Sequence, residues 1–307
     1  MMPSGARSLN YADLTMTELS QLEAPMCVLF MAVSPLEAHG PHLPVGSDLM
    51  ISEALCDRYI TAFSEAFPDY QPVRLPSLVL GADVLPRLGS IGVPARLLEQ
   101  TLVHCAKMLS QQGFRYLVIA DNHGGPRHLL GMEAAARRAF RKYNFYLINP
   151  FVDEFAQMLS SSEDLMRVTG LKNDRMGALN DLHAGTNETS LLRATHPEGV
   201  RDVVRQLSPE APPSPGWILT TLERFLCRLG FWQLATDLAA LGSIARWSRT
   251  TKSAYIGAPR ESSVEAGEAM LSWRVNNMIT IFQRVSKGES IRFRPPLWAV
   301  RFLRYLP

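Results

Sequence analysis

The sequence predicts an α/β fold built on a mainly parallel central sheet. Two near-continuous apolar runs of strand length, helical patterns between them, and a polar, histidine-rich segment at the end of each run carry that expectation. A run without polar alternation fits a strand buried on both faces, and such strands separated by helices belong to parallel sheets covered on both sides.

Met26 to Val33 (MCVLFMAV) is the first of these strands and runs into Ser34-Pro35. From Asp48 onward Leu49, Ile51, Leu55 and Ile60 suggest a helix that breaks before Pro68. A short apolar piece, Val73 to Leu80, precedes a Gly- and Pro-punctuated loop through Gly92. Pro94 to Gly113 reads as an amphipathic helix bounded by Pro at its start and Gly after its end. Phe114 to Ala120 (FRYLVIA) is the second buried strand, Met132 to Lys142 a helix, and Phe145 to Ile148 the start of a third strand. Ser208 to Gly216 holds four prolines and marks a linker or insertion boundary. Trp217 to Trp247 is a largely apolar helical stretch, for which a buried helical pair is the simplest account. Its Trp217, Phe225, Phe231 and Trp232 could instead cover a site, form a subunit interface or lie on a membrane surface. Ser262 to Val285 is a last helix. The expected organisation is a single domain over 1–307, with an apolar helical insertion at 209–251 and a basic, aromatic tail at 286–307.

Composition sets the outer limits. A chain of 307 residues, 47% apolar and 20% charged, can bury a core without a metal or disulfide to hold it. A net charge of +2 offers no electrostatic grip on nucleic acid. The cysteines Cys27, Cys56, Cys105 and Cys227 are scattered, with no CxxC pair, and fit reduced core thiols. The N-terminus lacks the apolar core of a signal peptide, and no run reaches the ~18 apolar residues of a membrane span, so a cytoplasmic protein is expected.

Chemistry concentrates in three segments. Glu37-Ala38-His39-Gly40-Pro41-His42, followed by Gly46-Ser47-Asp48, comes after the first strand. Glu37 and His39 are two residues apart, so extended backbone projects both to one side. Asp48 stands where a helix begins, a place that suits an N-cap, yet its two oxygens could equally bridge two ions. Carboxylates with imidazoles suit Zn, Mn or Fe rather than Ca or Mg. Asp121-Asn122-His123-Gly124-Gly125 ends the second strand, where paired glycines allow close approach of backbone to a ligand. Asp181 to Ser190 (DLHAGTNETS) supplies His183 and Glu188, candidates for a proton donor and a further ligand or orienter; Glu188 could also simply open a helix. Four of the seven histidines fall in these segments.

Together the segments resemble the creatininase (creatinine amidohydrolase) family, whose motifs run E-Q-H-G-x-H-L-P-x-x-T-D, N-G-H-G-G-N and H-A-G-x-x-E-T-S. Here they stand as EAHGPHLPVGSD (Glu37 to Asp48), DNHGGP (Asp121 to Pro126) and HAGTNETS (His183 to Ser190). The resemblance implies a three-layer α/β/α creatininase-like fold, a hexamer or other homo-oligomer, and two divalent transition-metal ions, zinc foremost, with manganese or iron as alternatives. By the same resemblance Glu37 and His123 hold one ion, His39 the other, Asp48 bridges them, and Glu188 completes the coordination of the second ion. Some members carry a Glu two residues after the second-motif His; Gly125 stands there, so that ligand comes from elsewhere. Ala38, Ser47, Asp121, Asn122 and Pro126 also depart from the motifs, and Leu182 stands where creatininase itself has a Glu before the motif His, which argues against creatinine itself as substrate.

The expected activity is metal-assisted hydrolysis of a C–N bond in an amide, formamide or cyclic amide, with His183 as proton donor and His42 orienting a ligand. A metallopeptidase or peptide-tail amidase would use the same residues on a short peptide. A non-catalytic assembly protein is the remaining alternative.

Overall fold

In the computed structural model, which describes residues 8–159, 181–289, 294–295 and 297–305, every strand pairing is parallel. The strands are β1 (Leu9–Asn10), β2 (Cys27–Ser34), β3 (Gln71–Arg74), β4 (Leu78–Val79), β5 (Tyr116–Ala120) and β6 (Tyr146–Ile148). Their order is β1-β3-β2-β5-β6, with β4 continuing beside the end of β2.

β2 is buried along its whole length, and its alternate residues feed two cores. Val28, Phe30 and Ala32 pack toward α2 (Ser47–Ala66) and a long late helix, Val264–Ser286. Leu29, Met31 and Val33 pack toward α3 (Ala95–Gln111) and α4 (Pro126–Tyr143). Each of the larger of these side chains, fully buried, contributes roughly 1.5–3 kcal/mol. Phe63 of α2 joins the layers on its side, 5.2 Å from Phe30 and 4.8 Å from Phe282, ring centre to ring centre. This is the three-layer α/β/α arrangement expected.

Among the described residues the remaining α-helices are α1 (Met16–Ser20), α5 (Phe151–Leu159), α6 (Thr186–Thr195), α7 (Trp217–Arg228), α8 (Trp232–Thr250) and α9, the Val264–Ser286 helix already met. α4 begins at Pro126 rather than Met132, because Pro126 sits in its first turn, directly after Gly125. The polar pair Arg127-His128 hides that turn from apolar periodicity.

The buried helical pair expected over 217–247 is not what forms. The stretch breaks around Gly230 (φ +82°) into α7 and α8; α8 buries Ala235 and Trp247, but α7 packs on α8 and buries no residue. Trp217, Phe225, Phe231 and Trp232 are all exposed. The tail lies partly on the body: Leu297 and Val300 are buried with Leu130, and Arg137 stacks over Trp298 at 4.4 Å. Arg292 and Phe293 lie outside the described residues.

Candidate metal centre

The loops leaving the carboxyl ends of the neighbouring strands β2 and β5 meet the first turn of α6, where sites gather in open parallel sheets. The loop after β2 closes on itself: the Glu37 N–H donates to the Val45 carbonyl at 2.9 Å, and Gly40 turns at φ +68°. A side chain at Gly40 would press on His42 Nδ1 and the Ser253 carbonyl. Asp48 lies in the first turn of α2, but the cap position is Gly46, so its carboxylate is not spent on capping. Glu188 occupies the matching turn of α6. Both carboxylates therefore sit at the positive end of a helix.

Asp48 divides the site. Its Oδ1 lies 3.4 Å from His39 Nε2, which is also 3.5 Å from Glu188 Oε2. Its Oδ2 lies 3.3 Å from His123 Nδ1, which is 3.1 Å from Glu37 Oε2. Two ligands on one tetrahedral ion at 2.0–2.1 Å stand about 3.3 Å apart, so these separations are those of ligands sharing an ion. Glu37, Asp48 and His123 form one possible ligand set, and His39, Asp48 and Glu188 another. A third grouping joins Glu37, His39 and His183, whose Nδ1 is 3.7 Å from Glu37 Oε2.

The histidine tautomers support this. His39 Nδ1 is 2.9 Å from the Glu37 carbonyl, His123 Nε2 is 2.8 Å from that of Ala82, and His183 Nε2 is 2.9 Å from that of Ala38. Carbonyls only accept, so each of these nitrogens carries its hydrogen. The opposite nitrogen of every ring then presents a lone pair to carboxylates. Such an array needs either a second proton on each ring or a cation between the groups. Buried His39 Nε2 has no hydrogen-bond partner among the described residues. The donor set fits divalent transition metals.

Without metal, the protons take that place. Burial works against the imidazolium forms of His39 and His123, but Asp48 and Glu188 around the first, and Glu37 and Asp48 around the second, hold both well above the ordinary imidazole value. Burial likewise opposes the charged carboxylates, yet His183 and His123 bring Glu37 down to about 2, and His39 and His123 hold Asp48 well below its usual range. Raised imidazoles stabilise fully below about 6.5 and lose that contribution as pH climbs toward their folded values. Metal-free protein should therefore lose stability as pH rises above about 6.5, with the carboxylates already ionised. Metal-loaded protein should gain stability over that range, because protons compete with metal for the same nitrogens. Urea midpoints of chelator-treated and metal-loaded protein should slope in opposite directions; parallel slopes would contradict the geometry.

A buried frame holds these groups. Asp121 accepts from the His123 N–H through Oδ1 at 3.0 Å and from Asn149 Nδ2 through Oδ2 at 3.1 Å, and His128 Nε2 lies 3.0 Å from the same Oδ2. His128 is thus fully buried behind the site, whereas His104 is exposed on α3. Asn122 donates to Asp48 Oδ1 at 3.1 Å and accepts from Arg274 Nη1 at 2.9 Å. Arg274, on α9, also donates to the Asp121 carbonyl and pairs with Glu154 of α5 at 2.7 Å. Sequence reasoning missed Arg274 and Glu154. The available signal was a lone arginine at helical spacing between buried Met270 and Met278.

His42 joins none of the ligand sets. Its Nε2 meets Thr189 Oγ1 at 3.0 Å, one residue beyond Glu188, and burial with nearby His39 brings its pKa down to about 4. A neutral His42 therefore buttresses the first turn of α6. Gly125 leaves no room for a side chain, since a Cβ there would lie 2.5 Å from His123 Nε2 and 2.9 Å from the Ala82 carbonyl. Glu188 brings its carboxylate to His39 instead.

Access comes from one side. Glu37, His39, Asp48 and His123 are buried, whereas His183 and Glu188 border a recess that Asn122, Asn187, Trp273 and Arg274 help to line. Asn187 is buried, and its Oδ1 has no partner among the described residues. Trp247 of α8 meets the His183 ring at 5.3 Å.

The family model Creatininase, described as creatinine amidohydrolase, matches residues 12–282. A mycofactocin precursor peptide peptidase from Mycolicibacterium smegmatis is 31% identical over 122 residues, 38% of this chain and 48% of that protein, so the match spans about half the length of that relative. A solved structure described as "Creatininase Mn" superimposes with a TM-score of 0.66 at 19% identity, covering 91% of this chain and 98% of the other. A creatininase variant described as Zn-Zn type gives 0.64 at 19% identity, over 91% and 98%.

Proposed function

The chain belongs to the creatininase family, and from that premise we propose that it is a metal-dependent amidohydrolase cleaving the C–N bond of an amide, formamide or cyclic amide. The observation that carries this reading is Asp48, whose two oxygens face two separate sets of ligand atoms. Glu37, Asp48 and His123 would hold one ion, and His39, Asp48 and Glu188 the other. Two divalent ions, zinc foremost, would bring the pKa of water toward about 7 and polarise a substrate carbonyl.

The protein's own groups do the rest. His183 spends its Nε2–H on the Ala38 carbonyl, so the site-facing Nδ1 is the atom that takes a proton and delivers it to the leaving nitrogen. Asn187 offers an unpaired acceptor to a substrate N–H at the recess. The substrate enters past His183 and Glu188, which border the recess.

Stretch identity to a peptide peptidase favours a second reading, in which the scissile amide belongs to a short peptide. Metal-loaded protein assayed on formamides, cyclic amides and short peptides separates the two, and no turnover on any of them overturns both in favour of a non-catalytic role. On whichever amide is turned over, His183→Ala should lower kcat by about 10²–10⁴ when the leaving amine is poor and far less when it is activated. Metal content should be unchanged. Equal losses with both leaving groups would remove His183 from the proton-donor role.

A further inference from the structure

We propose that the outer face of the α7–α8 hairpin docks this protein on an anionic lipid surface. Ile218, Leu222, Phe225 and Leu229 follow one another at helical spacing and form an exposed apolar row along α7 and its capping residue. Trp217 flanks this row at its start, and Phe231 and Trp232 extend the exposed surface through the turn into α8. Seven of the seventeen large apolar side chains exposed among the described residues fall within these sixteen positions. That density marks a surface made to be covered.

Charge identifies the cover. Arg224 and Arg228, both exposed, form a basic row immediately beside the apolar one. Arg246 and Arg249 of α8 are exposed as well, while the acids of the hairpin, Glu223 and Asp237, are half-buried and buried. Trp217 to Thr250 thus carries a net +2, the whole formal charge of the chain. A second copy meeting this face about a two-fold axis would set basic row against basic row with no exposed acid to pair with them. An apolar row with tryptophans at its ends and arginines along its side matches an interfacial helix, whose rings enter the headgroup boundary while guanidinium groups meet anionic headgroups. No helix among the described residues is long and apolar enough to cross a membrane, so the contact is a surface one. α8 runs from Trp232 at the exposed turn to Trp247 against His183, joining the docked face to the metal centre through one element.

Full-length, metal-loaded protein is floated with vesicles of phosphatidylcholine alone or mixed with phosphatidylglycerol, at low and high salt. Binding should require phosphatidylglycerol and fall with salt. Arg224→Gln and Arg228→Gln should each weaken it by about fivefold. Phe225→Ser with Trp232→Ser should abolish it while circular dichroism and metal content stay as in the wild type. No flotation with the mixed vesicles would overturn the proposal, as would equal binding to both vesicle types. A concentration-dependent dimer that Phe225→Ser disperses would assign the face to a second copy instead.

Discussion

Asp48→Asn should lower kcat/KM by about 10³-fold or more, equivalent to about 4 kcal/mol of lost transition-state stabilisation. The side chain is buried and both of its oxygens are committed, one toward His39 and Asn122, the other toward His123. An asparagine keeps a single oxygen and turns an NH₂ group toward the second ligand set, so no rotamer serves both sides. Removal of any other ligand leaves Asp48 with one complete neighbour set; removal of Asp48 leaves none. Steady-state kinetics beside elemental analysis checks the expectation. Full activity with metal retained would dismantle the bridging scheme.

Arg274→Met should destabilise the fold by about 3–5 kcal/mol, read from the urea midpoint, because it strands Glu154 without its cation in the interior. Burial already pushes the Glu154 carboxyl upward against the pull of Arg274, so the pair is balanced rather than strongly favourable. Combining it with Glu154→Gln should therefore restore most of the stability. It should not restore the site. Asn122 would still lack the donor that fixes its oxygen and, through its amide, the Asp48 carboxylate. Metal affinity in the double variant should remain about 10–100-fold weaker than in the wild type. A single variant that costs less than about 1 kcal/mol would remove Arg274 from this role.

What the sequence disclosed, and what it withheld, follows from the range of the interactions. β2 and β5 are legible because a strand buried on both faces has no polar alternation to confuse it, and the α/β class follows from them. Glu37, His39 and Asp48 are legible because one short loop brings them together. Glu188 carries two signals at once: it lies in the first turn of α6 and also beside His39, so the helix-start reading and the ligand reading describe one position. Arg274 reaches Asn122 and Glu154 from the far end of the chain, and no local pattern announces that. Trp217 and Trp247 show the same limit for burial. Both belong to one apolar stretch, yet Trp217 stands 79% exposed and Trp247 only 8%. Apolarity tells that a surface should be covered, not which neighbour covers it.

Elemental analysis of protein purified without added metal, compared with Asp48→Ala, bears most directly on the dinuclear centre. The arrangement of Glu37, His39, Asp48, His123 and Glu188 predicts close to two transition-metal ions per chain in the wild type and loss of both in the variant. Wild-type protein with no metal, and no uptake on titration with zinc, manganese or iron, would contradict it.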